Sequence, residues 1–121
     1  MYEVVNYIKS NGRCPILDFI SELKNTSGNF QQLEKMLLFT KKLEEFGMKI
    51  NEYYTRDAVK KLKDNIYELR PLKVRILFTI FNQKFVLLHA FYKKTKKTPP
   101  NEIKNAIEER NDYIARLGDM L

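Results

Sequence analysis

Tyr2 to Ile8 alternates loosely between apolar and polar positions and is rich in Val, Ile and Tyr, which predicts a first strand. Ser10, Asn11 and Gly12 supply a turn after it. Pro15 suits the first position of a helix in which Ile16, Phe19, Ile20 and Leu23 share one face. A polar loop from Asn25 to Asn29 follows. Asn29 and Gln32 have the spacing of a capping box, and Phe30, Leu33, Leu37 and Leu43 predict the apolar stripe of a second helix. Gly47 is placed to close that helix in a left-handed cap. The two helices read as a hairpin that covers a sheet.

After Met48 the period changes from helical to extended. Ile66 to Arg70 predicts a strand stopped by Pro71. Arg75 to Phe81 is apolar on both faces, so it belongs near the middle of a sheet. Asn82-Gln83 is a two-residue turn signal, and Phe85 to Tyr92 predicts the next strand. Plain alternation puts His89 on the face of Phe85, Leu87 and Phe91, opposite Leu88, Ala90 and Tyr92. Thr98 is the expected N-cap of a last helix begun by Pro99 and Pro100. Ile103, Ile107, Ile114 and Leu117 form its stripe, and Gly118 stands at its C-cap position. Residues 1–121 therefore predict a single α+β domain of order β-α-α-β-β-β-α, a small antiparallel-rich sheet with helices packed against it.

Composition narrows the class. Hydrophobic residues make up 44% of the 121 residues and charged residues 31%, as in a globular chain. Cys14 is the single cysteine, which excludes an internal disulfide and a cysteine metal cluster. No apolar stretch approaches the ~20 residues of a membrane helix, and no leader pattern opens the chain, so a cytoplasmic location away from membranes is expected. The formal charge of +7 is unevenly placed: Arg56 to Lys97 holds 12 Lys+Arg against 3 Asp+Glu, the remainder 10 against 12. A basic half favours a polyanionic partner, because each neutralised phosphate releases counterions.

Three features in that half bear on chemistry. Arg70 ends one predicted strand and Arg75 begins the next, so their guanidinium groups are expected close together. Buried arginine needs a partner, either a carboxylate such as Glu68 or a bound phosphate. His89 is the only histidine and sits among apolar residues, which suits a structural residue as well as a general acid or base. The run Tyr92-Lys93-Lys94-Thr95-Lys96-Lys97 is a compact cation cluster led by an aromatic that can stack on a base. Lys61, Tyr67 and Lys73 extend the candidate RNA-binding surface. Paired histidines, HExxH, a glycine-rich phosphate loop and a GxSxG elbow are all missing, so neither a metal nor a cofactor is expected. Metal-free phosphoryl transfer fits best, with RNA supplying its own 2′-hydroxyl nucleophile.

Taken in order, Asp64-Asn-Ile-Tyr67-Glu68-Leu69-Arg70-Pro71, Arg75-Ile-Leu-Phe, Leu87-Leu-His89-Ala-Phe91-Tyr-Lys93-Lys94-Thr95-Lys96-Lys97-Thr98-Pro99 and Glu102-Ile103 resemble the RelE/HigB toxin superfamily. The match is narrower with its phage-derived, HigB-like branch and runs from about Leu62 to Tyr113. The resemblance implies a RelE-like fold and the toxin half of a type II toxin–antitoxin pair. It further implies ribosome-dependent cleavage of mRNA, and a cognate HigA-like antitoxin whose helix-turn-helix domain contacts operator DNA. By resemblance, Arg75 contacts the scissile phosphate, Lys94 stabilises the transition state, and Arg70 is the arginine of the ELR strand. The lysine pair that RelE carries on that strand and its carboxy-terminal tyrosine have no counterpart here. Tyr67, Tyr92, His89 and a lysine all remain open as the general base, and Lys93 is expected to grip phosphate beside Lys94. Two other readings stand beside this one: a ParE-like toxin of the same fold that inhibits a topoisomerase, and a non-catalytic binding protein.

Overall fold

In the computed structural model, which describes the backbone of residues 1–119 and the side chains of residues 1–117, the strands form one five-stranded sheet. They are β1 (Glu3–Asn6), β2 (Val59–Lys61), β3 (Tyr67–Leu69), β4 (Val74–Phe81) and β5 (Lys84–Tyr92), in the spatial order β1-β5-β4-β3-β2. β1 runs parallel to β5 and the other neighbours are antiparallel, so the sheet is antiparallel-rich as expected. The helices are α1 (Pro15–Lys24), α2 (Phe30–Phe46), the short α3 (Ile50–Tyr53) and α4 (Pro100–Asp119), with a 3-10 turn at Gly47–Lys49. The α+β class holds, and the sequence order lacked two pieces, α3 and β2.

Both missing pieces are short. β2 has only three residues, two of them exposed lysines, too few to show a period. Side-chain chemistry anchors it: the Asn51 amide donates to the Val59 carbonyl at 2.9 Å and accepts from the Val59 N–H at 2.8 Å. The strand is thereby tied to α3.

Gln32 explains the shifted stripe of α2. It makes no capping box with Asn29; it is buried, donating to the Pro71 carbonyl at 2.7 Å and accepting from the Lys73 N–H at 3.1 Å. The buried face of α2 is therefore Gln32, Met36, Phe39 and Leu43. Phe30 and Leu37, expected inside, are 73% and 55% exposed. A polar residue that satisfies two backbone groups of the β3–β4 turn sets the rotation of the helix, against the apolar count.

Three further local signals, at Pro15, the Asn82-Gln83 turn and Gly47, act where the sequence puts them. Pro15 starts α1. Asn82 and Gln83 both take positive φ, as a tight hairpin turn requires. Gly47 caps α2 at φ 59°, its N–H donating to the Leu43 carbonyl, and a Cβ there would lie 2.8 Å from the Tyr2 ring. Thr98 does not cap α4. The carbonyl of Pro99 accepts from Glu102 and Ile103 instead, and α4 runs past Gly118 to Asp119.

The sheet separates two cores. On one face α1 and α2 cover Ile76, Phe78, Phe85 and Leu87. On the other, α4 contributes Ala106, Ile107 and Tyr113 over Ile66, Leu77, Val86 and Leu88. His89 belongs to the second face, a correction to plain alternation. The β4–β5 register pairs Leu77 with His89 but Phe78 with Leu87, leaving Leu88 as an extra residue. That bulge sends Leu88 and His89 to the same side.

Candidate nucleic-acid and catalytic site

Glu68 is the centre of the basic end. It lies in the middle of β3, opposite Leu77 of β4 and Lys60 of β2, so it points to the α4 face. It is 3% exposed. Its Oε1 faces Arg70 Nε at 3.5 Å and Arg75 Nε at 3.8 Å. Its Oε2 accepts a short hydrogen bond from the Thr98 hydroxyl. Thr98 thus ties the start of α4 to the sheet.

The two arginines differ in access. Arg75 is 7% exposed, and its Nη1 also donates to the carbonyls of Leu72 at 2.9 Å and Val74 at 3.0 Å. Burial, and then the positive charge of Arg70, lowers its pKa from the ordinary value, while Glu68 acts in the opposite direction. Arg70 is half-buried and reaches toward solvent. The sequence left a carboxylate or a phosphate open as the partner of these arginines, and the carboxylate is present.

Lysines line the mouth. Glu68, Arg75, Phe91, Lys93, Lys94, Lys96, Lys97 and Thr98 surround a recess of about 10 Å³, space for one water at most. Of the two arginines, Arg75 lines this recess and Arg70 does not. The loop that carries the lysines is held in shape by the Lys93 N–H on the Lys73 carbonyl at 2.8 Å and the Thr95 hydroxyl on the Lys97 carbonyl at 2.6 Å.

Other expected site residues lie elsewhere. Tyr67 stacks on Phe78 at 5.5 Å between centroids, in the core under the helical hairpin. Tyr92 packs on Phe19 of α1 at 5.4 Å and borders a groove with Lys73, Leu72 and Gln32. Both tyrosines therefore face away from Glu68. Lys61 borders a separate open cleft with Asp64 and Arg110.

His89 is on the Arg75 side of the sheet, but both ring nitrogens are occupied. Nδ1 lies 2.5 Å from Glu109 and Nε2 3.0 Å from Glu102, both on α4. Only the doubly protonated ring donates to two carboxylates at once. Burial alone would lower its pKa, but the hydrogen bond and charge of Glu109, with those of Glu102, outweigh it and raise the value above 6.5. Glu109 was missed from sequence, and Glu102 entered only through the resemblance; neither was paired with His89, whose face depends on the bulge. Among the described residues, no three His, Cys, Asp or Glu side chains are placed to hold a metal ion. No helix among the described residues is long and apolar enough to cross a membrane.

A model of the family described as Phage derived protein Gp49-like matches residues 20–111, well over half of the chain. It takes in nearly all of the segment on which the sequence resemblance rests. No curated protein matches the chain. Among solved structures, the archaeal RelE–RelB complex from Pyrococcus horikoshii OT3 contains a similar chain, with a TM-score of 0.50 and 15% identity. That likeness covers 75% of this chain and 93% of the other, and at this identity it establishes a shared RelE-like fold.

Proposed function

Since the chain belongs to the phage-derived Gp49-like family and has a RelE-like fold, we propose that it is the toxin of a type II toxin–antitoxin pair and cleaves mRNA, with the ribosome presenting the strand. The observation that carries this reading is the Glu68–Arg70–Arg75 cluster, with Glu68 and Arg75 buried, beside Lys93, Lys94, Lys96 and Lys97. Guanidinium and ammonium groups converge there from three chain segments, beside an aromatic ring, Phe91.

In the proposed reaction Arg70, Lys93 and Lys94 engage the scissile phosphate, and Arg75 adds positive charge from beneath. Lys96 and Lys97 hold the flanking backbone without reading sequence. The 2′-oxygen attacks the adjacent phosphorus, the bond to the 5′-oxygen breaks, and negative charge on the equatorial oxygens is met by these cations. The chemistry requires no metal. Positioning and charge supply the rate, each cation contributing only where charge develops.

The related fold was solved as a RelE–RelB complex. By analogy an antitoxin with a helix-turn-helix domain neutralises this chain, and operator DNA is bound only through it. The site of action would be the cytoplasm.

The test is cleavage of a defined mRNA in a purified translation system, mapped by primer extension with and without ribosomes. Cuts that need ribosomes and disappear in Arg70→Ala and Lys94→Ala are expected. Growth arrest with intact mRNA and damaged DNA would instead assign a ParE-like topoisomerase inhibitor.

A further inference from the structure

Resting on that reading, we propose that Glu68 is the general base, taking the proton of the attacking 2′-hydroxyl on Oε1. Geometry removes the other acceptors. Tyr67 and Tyr92 lie on the opposite face of the sheet. His89 has both nitrogens engaged by Glu102 and Glu109. The lysines of the rim donate protons and accept none in their charged form.

Glu68 has what the others lack. Its Oε2 is fixed by Thr98, while Oε1 accepts no hydrogen bond of good geometry and only faces the two arginines at 3.5 and 3.8 Å. Among the described residues, no fully buried side-chain oxygen or nitrogen is without a partner, and Glu68 is one of the residues that line the recess. A phosphate arriving on Arg70 and the lysines is bound beside this carboxylate.

The step balances. The O–H bond of the 2′-hydroxyl breaks and its proton goes to Glu68 Oε1, while the 2′-oxygen bonds to phosphorus. The bond from phosphorus to the 5′-oxygen breaks with its electron pair, and that oxygen takes a proton from the Lys94 ammonium. The products are a 2′,3′-cyclic phosphate and a 5′-hydroxyl.

The experiment measures single-turnover cleavage of ribosome-bound mRNA by wild type, Glu68→Gln and Glu68→Ala, with thermal unfolding to confirm that each variant folds. Both variants should lose about 10²–10⁴-fold in rate. Adding formate or acetate to Glu68→Ala should restore cleavage, with acetate, the stronger base, faster at equal occupancy. A folded variant that cleaves within a few-fold of wild type overturns the proposal. So does an absence of rescue, or rescue indifferent to carboxylate basicity, which marks Glu68 as a counter-ion for the arginines. If Glu68→Ala does not fold, the folded Glu68→Gln decides by its rate alone. Wild type that cuts no RNA fails the endoribonuclease reading itself, an outcome separate from any result on Glu68.

Discussion

The two faces of the sheet are built from different chemistry. Under α1 and α2 the packing is apolar, from Ile76, Phe78 and Leu87 in the strands to Leu23, Met36 and Leu43 in the helices, with Gln32 the buried polar exception. Under α4 the apolar patch is smaller and borders buried or half-buried polar groups: Glu68, Arg75, Thr79, His89 and the Tyr7–Asp112 pair. Apolar packing is tolerant of partner and direction, whereas buried charge demands specific neighbours at specific distances. The hairpin face holds the fold, and the α4 face gives up some of that stability for a preorganised cluster.

The largest expected contrast comes from cutting into each face. Phe78 is fully buried and touches Tyr67 and Phe85, so Phe78→Ala should cost about 3–5 kcal/mol in denaturant unfolding. Arg75→Ala should cost a similar ~3–5 kcal/mol for a different reason, because the buried Glu68 would lose its one buried cationic partner. The double variant Glu68→Gln with Arg75→Met separates the two causes. It removes both charges and should recover much of the loss, while no second change at Glu68 rescues Phe78→Ala. An unrecovered double variant would show that the Arg75 bonds to the Leu72 and Val74 carbonyls, and not Glu68, dominate its contribution.

A smaller contrast is dependence on pH. His89 has a raised pKa in the folded chain, so its ion pairs with Glu102 and Glu109 stabilise fully below the unfolded value of 6.5. That stabilisation is lost as pH rises from 6.5 through the folded value. The stability gap between wild type and His89→Gln should therefore narrow with rising pH, whereas that for Phe78→Ala should stay flat. Tyr7 has its pKa pushed up to about 12, by burial first and then by its bond to Asp112, so its contribution fades only above the ordinary value of 10. A His89→Gln gap that is constant between pH 6 and pH 9 would refute the charged clamp.

The same division explains what could be read from the sequence. The hairpin, the β3–β4–β5 meander and the final helix follow from periodicity and turn residues, which act locally. The basic cluster was equally legible, since Arg70, Arg75 and the lysine run are neighbours in the chain or across one turn. Three features were not. The rotation of α2 depends on Gln32 meeting backbone groups 39 and 41 residues away. The face of His89 depends on a bulge at Leu88 that leaves no residue signal. β2 is a three-residue edge whose pairing with β3 decides its existence. Each is a long-range choice made by a polar contact or by strand register, and so lies beyond a local pattern.

The smallest expected effect concerns the rim. Lys96 and Lys97 are exposed, so removing either should leave unfolding unchanged within about 0.5 kcal/mol. Their role is electrostatic and shows in the response of RNA or ribosome binding to salt. Every phosphate that goes unneutralised should flatten the slope of log affinity against log salt by about 0.7 on single-stranded RNA. Lys96→Ala with Lys97→Ala should therefore reduce the slope by about 1.4 if both touch backbone phosphates. Arg75→Ala should change the slope less than this pair does, because the charge of Arg75 is already balanced in part by Glu68. A slope that falls more for Arg75→Ala than for the lysine pair would reverse the assignment. Arg75 would then be a direct phosphate ligand, and Glu68 would have to swing away from it on binding.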